Sequence, residues 1–275
     1  MVILIFKKCY PTYINLNQIT SIMHMSMSGV FFDYGETNIL EDVGIELRPS
    51  EIVGILGPNG SGKTTMLRCM NRILTPKQGS VMLDGKEISE MPRMEMARDV
   101  GFVPQNSSIE AASPTVFEVV LMGRRPHIAW EYGKKDREIA WKAMEDLHVK
   151  DLATRDFHRL SSGQAQRVLI ARAVAQEAGV LLLDEPTSNL DIKYQLEVMN
   201  IVDRLTEEKG LCACAVIHDL DLAMRFCDQA ILLDRGNVVS SGAIDEVLTP
   251  ENIRNVYGVE TVVERISGRP HVVVV

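Results

Sequence analysis

The most informative absence in this sequence is that of any long apolar run. No stretch approaches the roughly 18 consecutive apolar residues that a membrane-spanning helix needs, so a path through a membrane would have to come from another chain. Basic charge is also lacking: the formal net charge of −8 argues against nucleic acid as a partner, because such proteins usually present a basic face. The five cysteines are scattered and odd in number, which argues against a disulfide framework and favours a reducing cytoplasm.

What remains is the composition of an ordinary globular protein. Hydrophobic residues make up 46% of the 275 residues and charged residues 24%, which suffices for one α/β domain with a sizeable core. The N-terminus stands apart, because its apolar start is too short for a signal peptide and the lysines follow it. We interpret residues 1–26 as a disordered tail or an upstream start, with Met23, Met25 and Met27 as alternative first residues.

Short apolar runs alternate with helical patterns along the chain. Runs typical of buried parallel strands occupy residues 51–57, 100–105, 180–186 and 212–219. Antiparallel strand pairs are predicted at 28–48, 79–88 and 230–242, and a last hairpin in a C-terminal extension at 251–275. The alternation predicts an α/β fold with a mostly parallel sheet, into which a helical subdomain of about residues 106–174 is inserted.

A glycine-rich turn follows the first of these buried strands. Residues 57–65, GPNGSGKTT, satisfy the pattern G-x-x-x-x-G-K-[ST] between a predicted strand and a predicted helix, although an ordinary glycine turn is the alternative. Its backbone N–H groups and the helix N-terminus can both point at a phosphate. Lys63 could reach the β- and γ-phosphates of a nucleotide, and the Thr64 hydroxyl could ligate Mg²⁺. The predicted ATP contacts are Gly57, Pro58, Asn59, Gly60, Ser61, Gly62, Lys63, Thr64 and Thr65.

Two carboxylates end the strand VLLLDEP at residues 180–186. Asp184 arrives next to the phosphate cradle, where it could hold the magnesium shell, and Glu185 follows it in a place to polarise an attacking water. Such a pair alone would also suit two solvated loop acids. Together with the glycine-rich turn, it predicts a site for nucleotide hydrolysis with Mg²⁺.

Four further stretches carry a resemblance to one family of ATPases. Residues 160–167, LSSGQAQR, resemble the LSGGQ signature, and residues 188–191, SNLD, resemble the segment called the D-loop. Gln105 and His218 stand at strand ends, like the Q-loop glutamine and the switch histidine of that family. Tyr34 lies where the family places an aromatic residue that stacks on adenine. In this order the motifs resemble those of the nucleotide-binding subunits of ABC transporters.

The resemblance covers about residues 27–273 and implies a fold, an assembly and a set of roles. The implied fold is that of P-loop NTPases: a mostly parallel RecA-like sheet, an antiparallel β subdomain and the inserted helical subdomain, within a nucleotide-binding domain at residues 27–250. Two such subunits pack head to tail, with each ATP between the P-loop of one chain and the signature of the other. The implied catalytic residues are Glu185, His218, Gln105 and Lys63, and the implied Mg²⁺ ligands are Thr64, Gln105 and Asp184. The implied contacts in trans are Ser161, Ser162, Gly163, Gln164 and Asp191.

One position departs from the family pattern. Ser162 replaces the first glycine of the usual pair; its Cβ would be strained at positive φ but tolerated near helical geometry. Taken singly, His218 would suit a structural histidine and Tyr34 a packing aromatic. Cys212 and Cys214 lie two residues apart with His218 four further on, but their apolar surroundings favour core packing over a metal site.

Two segments narrow the resemblance to a subfamily. Residues 122–130, MGRRPHIAW, and the C-terminal stretch resemble subunits that serve importers of ferric siderophores, haem and cobalamin, and molybdate importers share them. The implied partners are a second copy of the chain, integral-membrane permease subunits and, indirectly, a substrate-binding protein. The implied location is the cytoplasmic face of the cell membrane, as a peripheral subunit. The alternative for Arg124 and Arg125 is that they are ordinary surface charges without a part in this resemblance.

Three other functions are less consistent with the sequence. A non-transport ABC protein of DNA repair or translation usually carries two cassettes or long coiled coils, and neither occurs here. A P-loop kinase would not be expected to contain the signature or His218. A GTPase is disfavoured because the guanine-reading pattern N-K-x-D is absent. ATP hydrolysis coupled to membrane transport is therefore the predicted function.

Overall fold

The computed structural model describes residues 23–35, 37–105, 113–188, 190–266 and 269–275, and its strands fall into three sheets. In chain order the strands are β1 (Met25–Tyr34), β2 (Thr37–Leu47), β3 (Ile52–Leu56), β4 (Gln78–Leu83), β5 (Lys86–Glu87), β6 (Val100–Val103), β7 (Val180–Leu183), β8 (Cys212–Val216), β9 (Gln229–Asp234), β10 (Asn237–Ala243), β11 (Thr261–Ile266) and β12 (Arg269–Val274).

The central sheet has the order β10-β9-β3-β8-β7-β6. All of its neighbouring strands run parallel except β10, which is antiparallel to β9. Every residue of β3, β7 and β8 is buried, as expected for parallel strands that are covered on both faces. A second, antiparallel sheet has the order β2-β1-β4-β5, and β11 and β12 form a separate hairpin. The predicted α/β class with a parallel sheet and an antiparallel subdomain is confirmed.

Helices cover the central sheet and form a lobe between β6 and β7. In chain order they are α1 (Lys63–Met70), α2 (Arg93–Asp99), α3 (Val116–Leu121), α4 (Lys134–Asp146), α5 (Ser162–Ala175), α6 (Ile192–Lys209), α7 (Leu220–Phe226), α8 (Ile244–Val247) and α9 (Pro250–Tyr257), with 3₁₀ turns at Met122–His127, Lys150–Leu152 and Phe157–Arg159. The stretch predicted as a helical subdomain contains α3, α4 and most of α5, while residues 106–112 lie outside the described residues. Within the described part of the chain, no helix is both long and apolar enough to cross a bilayer.

Two apolar clusters hold these layers together, one on each face of the central sheet. Successive side chains of β3 point to opposite faces of the sheet and so belong to different clusters. Val53 and Ile55 face the antiparallel sheet and α1, and Ile52 and Leu56 face the helical side. The first cluster is rich in methionine, including Met25, Met27, Met66 and Met70. Burial on both faces fixes the register of the parallel strands, and with it the positions of the loops at their carboxyl ends.

The first strand begins two residues before residue 27, the predicted start of the nucleotide-binding domain. β1 begins at Met25, which is fully buried and pairs with Leu47 on one side and Leu83 on the other. The His24 N–H also donates to Asp84 Oδ1 at 2.8 Å. The sequence M-S-M-S alternates buried and part-exposed residues with the period of a strand, although methionine and serine are weak strand formers. Residues 1–22 lie outside the described residues.

Replacing Met25 with alanine should therefore lower the free energy of unfolding by about 2–5 kcal/mol, the usual cost of emptying a buried methionine site. Urea denaturation monitored by circular dichroism measures this change. The matched control is Met94→Ala, because Met94 is 49% exposed on α2 and its removal should change stability by less than about 0.5 kcal/mol. Equal stability of the two variants would contradict the assignment of Met25 to the core.

The C-terminal extension predicted as a hairpin contains a helix as well. α9 has Thr249 as its N-cap, Pro250 in its first turn and Gly258 at φ 72° as its C-cap, a set of start and stop signals that the sequence interpretation overlooked. The hairpin β11–β12 follows it, as predicted. Its backbone is tied to α7, because the Val272 N–H donates to Asp221 Oδ1 at 2.7 Å.

Candidate active site

The carboxyl ends of four adjacent parallel strands bring the predicted motifs together. β3 leads into Gly57, β6 into Gln105, β7 into Asp184 and β8 towards His218. Since these strands are neighbours in the sheet, their following loops lie at one edge, which is where α/β folds bind their ligands. The fold thus gathers residues that are far apart in the chain.

The glycine-rich turn between β3 and α1 can be formed only by glycine at two of its positions. Gly57 has φ 141°, and a Cβ there would lie 2.1 Å from the carbonyl oxygen of Leu233. Gly62 has φ 104°, and its Cβ would lie 2.8 Å from the carbonyl oxygen of Ile39. Gly62 also starts α1 without a side-chain cap and without an acidic residue in the first turn. The helix N-terminus is therefore suited to an anion.

Lys63 lies inside this turn rather than on the surface. Its Nζ donates to the carbonyl oxygens of Gly57 and Pro58, each at 2.8 Å, and the residue is only 5% exposed. Burial lowers the pKa of Lys63, and the nearby carboxylates of Glu185 and Asp184 oppose that shift. A buried ammonium group whose hydrogen bonds within the described residues go to neutral carbonyls can gain much from an anionic phosphate.

Thr64 and Asp184 provide two oxygen atoms that could bind a metal ion next to Lys63. The Thr64 hydroxyl donates to Asp184 Oδ1 at 2.9 Å, and Asp184 is 2% exposed. Burial raises the pKa of Asp184, while the hydrogen bond from Thr64 lowers it. Ser61 adds a buried hydroxyl oxygen without a hydrogen-bond partner in the described residues. Hard oxygen ligands beside a phosphate cradle fit Mg²⁺.

Glu185 is held at both of its carboxylate oxygens. The Gln105 amide donates to Oε2 at 2.5 Å, and His218 Nε2 lies 2.7 Å from Oε1. The backbone of Glu185 is in the left-handed region, at φ 51°, and the Ser188 hydroxyl donates to its carbonyl oxygen at 2.9 Å. Such strained residues occur at active sites when the surroundings fix them. Gln105 therefore contacts Glu185 in this structure, and its role as a ligand of Mg²⁺ stays a prediction.

Tyr34 lies at the end of β1 and is 55% exposed. Its ring packs against Phe32 in a T-shaped arrangement, with the centroids 4.9 Å apart and the planes at 83°. The packing role considered from the sequence therefore accounts for part of the ring. The exposed part of the side chain is available to stack on a flat ligand.

The signature segment starts α5 with a reciprocal cap. Ser161 is the N-cap: its Oγ accepts the Gln164 N–H at 3.4 Å, and its own N–H donates to Gln164 Oε1 at 3.2 Å. Ser162 is the first helical residue and is not among the residues with positive φ. The strain that a Cβ could cause at this position is therefore absent. Ser161 and Ser162 are exposed, and Gly163 is buried.

The predicted D-loop aspartate caps the next long helix. Asp191 is the N-cap of α6, and its Oδ1 accepts the Tyr194 N–H at 3.1 Å. Asn189 lies outside the described residues. Sequence reasoning did not select Tyr194, and only its place three residues after a capping aspartate could have drawn attention to it.

Two other predictions concern buried side chains. Arg124 is not a surface charge: its side chain is 5% exposed and bonds to Asp136, Glu177 and the Ala175 carbonyl oxygen at 2.7–3.1 Å. Cys212 and Cys214 are fully buried, which raises the pKa of the Cys212 thiol to about 12. No group of three potential metal ligands among His, Cys, Asp and Glu occurs within the described residues. The full burial of Cys212 and Cys214 agrees with the predicted packing in the core.

Comparison with known proteins decides the family. A family model described as ABC transporter matches residues 40–188, a span from β2 through the P-loop, the signature and the strand end at Asp184. The chain belongs to the ABC transporter family. An ABC transporter ATP-binding protein of Methanocaldococcus jannaschii, described as uncharacterized, is 45% identical over 92% of this chain and 98% of its own length. The ferric enterobactin transport ATP-binding protein of Escherichia coli K12 is 38% identical over 87% of this chain and 90% of its own length.

Solved structures of this family agree with the fold. A chain of a metal-chelate type ABC transporter in an inward-facing conformation has a TM-score of 0.81 at 29% identity and covers 92% of this chain and 98% of its own length. A dimeric ATP-binding cassette bound to ADP and phosphate has a TM-score of 0.71 at 30% identity and covers 80% of this chain and 98% of its own length. This ABC protein is therefore an ATP-binding and ATP-hydrolysing subunit of a transporter, as the sequence predicts.

Proposed function

We propose that two copies of this ABC subunit hydrolyse ATP at composite sites and so drive a metal-chelate importer. The observation that carries this proposal is the arrangement of Glu185, fixed between Gln105 and His218 beside the Lys63 turn. Glu185 would polarise the attacking water, and His218 would orient it towards the terminal phosphoryl group. Lys63 would stabilise the charge on the β- and γ-phosphate oxygens.

Three further groups of residues complete the proposed site. Mg²⁺, held by Thr64 and Asp184, would neutralise charge on the phosphates. Gln105 would reach the metal and water only after it leaves Glu185, because its amide donates to that carboxylate here. Tyr34 would stack on the adenine, and the P-loop residues 57–65 would surround the phosphates.

The proposed dimer gives a role to the two exposed serines of the signature, Ser161 and Ser162. Ser161, Ser162, Gly163 and Gln164 begin α5 with polar groups at a helix N-terminus, a suitable partner for a γ-phosphate. In the proposed head-to-tail dimer they and Asp191 contact the ATP held by the P-loop of the partner subunit. The solved dimeric cassette with ADP and phosphate supports this assembly.

The proposed cargo class rests on the relatives and on the segment after α3. The E. coli relative serves ferric enterobactin, and the metal-chelate type transporter has the same fold. The proposed partners are integral-membrane permease subunits and, through them, a substrate-binding protein, with this chain on the cytoplasmic face of the membrane. Trp130, which is 93% exposed just after the Met122–His127 turn, offers an apolar contact to a permease.

Uptake assays in cells that produce only the Glu185→Gln variant test this function. Cells are supplied separately with a ferric siderophore, haem and cobalamin, and wild-type protein at the same level is the control. We expect uptake of one of these chelates to stop. Normal uptake of all three by cells with the inactive ATPase would contradict the proposed cargo class. Failure of the protein to co-purify with a permease would favour a non-transport ABC protein.

A further inference from the structure

One aromatic residue, Tyr194, contacts both of the segments that are proposed to act in trans. Its backbone N–H donates to Asp191 Oδ1 at 3.1 Å. Its ring packs against the signature helix at Gly163, where a Cβ would lie 3.2 Å from the ring Cγ and 3.4 Å from both Cδ atoms. Gly163 therefore lies against the face of the ring. Any larger residue at this position would push the ring or the helix away by a few tenths of an ångström.

One cation from each of the two helices lies near the same ring. The guanidinium carbon of Arg167, on α5, lies 5.9 Å from the ring centroid, and Lys193 Nζ, on α6, lies 5.5 Å from it. Glu197 is 3.9 Å from each of these cations. The start of α5 and the start of α6 are thus joined through one side chain, although they are about thirty residues apart in sequence.

We propose that Tyr194 is a positioning residue that fixes the signature and Asp191 as one unit, which is presented to the ATP of the partner subunit. This inference rests on the composite site proposed above. In this proposal Tyr194 acts without touching ATP: it sets where the Ser161 hydroxyl and the Gly163 backbone lie. Because the unit acts across the dimer, loss of the ring in one protomer should weaken ATP retention in the P-loop of the other protomer.

A local role is the rival explanation. Gln195, next to Tyr194, donates to the Thr187 carbonyl oxygen at 3.4 Å, and Thr187 follows Glu185 by two residues. Through this contact a disturbed α6 could act on the ATP of its own chain. The two explanations differ in which protomer loses its nucleotide, so mixed dimers can separate them.

Each mixed dimer combines a Lys63→Ala protomer with a Glu185→Gln protomer, and two different affinity tags purify it. ATP then occupies only the P-loop of the Glu185→Gln protomer, which faces the signature of the Lys63→Ala protomer. The facing dimer carries Tyr194→Ala on the Lys63→Ala protomer, and the same-side dimer carries it on the Glu185→Gln protomer. The reference dimer has no change at Tyr194. The measurement is the release rate of radiolabelled ATP after dilution into unlabelled ATP.

We expect ATP to leave the facing dimer about tenfold faster than the reference dimer, which corresponds to a loss of about 1.4 kcal/mol of binding free energy. The same-side dimer should match the reference within about twofold, and so should a facing dimer with Tyr194→Phe, which keeps the ring. Circular dichroism and thermal unfolding of each protomer verify that the fold is intact.

Every other pattern counts against a role of Tyr194 in trans. If only the same-side dimer releases ATP faster, the local explanation is supported. If the facing and same-side dimers release ATP at the same rate, the substitution does not act specifically on the ATP of the partner protomer. A Tyr194→Phe dimer that behaves like Tyr194→Ala overturns the role of the ring. Rapid release from the reference dimer itself instead contradicts the composite site, independently of Tyr194.

Discussion

Replacement of Glu185 with glutamine should abolish phosphate release while ATP remains bound in a stable dimer. The amide has nearly the same shape as the carboxylate and can keep its contacts with Gln105 and His218, which lie at 2.5 and 2.7 Å. It cannot act as a base for the attacking water, so the rate of hydrolysis should fall by about a hundredfold or more. Phosphate release measured at saturating ATP and Mg²⁺ gives the rate, and size-exclusion chromatography with ATP gives the dimer.

The control for this variant is Glu208→Gln, which makes the same chemical change at an exposed position near the end of α6. It should hydrolyse ATP at the wild-type rate and dissociate after turnover. Phosphate release by Glu185→Gln at the rate of this control would contradict the assignment of the general base. A monomer in the presence of ATP would contradict the trapped state.

Replacement of Lys63 with alanine should remove most of the affinity for ATP. The ammonium group is buried, and burial lowers its pKa, so it would gain strongly from phosphate oxygens. Each hydrogen bond to a charged group contributes about 1.5–3 kcal/mol, so loss of contacts to two phosphates should weaken binding at least about a hundredfold. Equilibrium titration with a fluorescent ATP analogue measures the dissociation constant.

The matched control is Lys134→Ala, since the side chain of Lys134 is 93% exposed and pairs only loosely with Glu138 at 3.7 Å. It should bind ATP like the wild type. Circular dichroism should show the same helix content for both variants, because the hydrogen bonds of the Lys63 side chain in the described part of the chain go to Gly57 and Pro58 of its own turn. Undiminished affinity in a folded Lys63→Ala protein would show that the turn is not the phosphate site.

The motifs that sequence reasoning found are those encoded by local patterns. The P-loop needs glycine at Gly57 and Gly62 because of backbone conformation, so its pattern is visible without a structure. Asp184, Glu185 and His218 follow apolar runs that are recognisable as buried strands, and the parallel sheet brings their ends together. Local chemistry therefore predicted the fold class, the P-loop and the pair Asp184 and Glu185. The roles of Gln105, His218, Tyr34 and the signature came from the resemblance to ABC ATPases.

Contacts between distant segments could not be read in the same way. Tyr194 reaches Gly163, and the Arg124 side chain becomes buried because Asp136 and Glu177 converge on it from other elements. A sequence gives no distance between such residues. Two adjacent arginines are usually exposed to solvent, so the sequence alone favours a surface position for Arg124. The Gln105 contact with Glu185 depends on side-chain conformations, which motif spacing does not determine.

Dependence of the ATPase rate on protein concentration tests the composite site most directly. The rate per protomer is measured from dilute monomer to concentrated protein, with the oligomeric state followed by light scattering in the same samples. Because each protomer holds one P-loop and one signature, we predict negligible hydrolysis in the monomer and a rise to a plateau as dimers form. Hydrolysis at the plateau rate by the monomer alone would contradict the account.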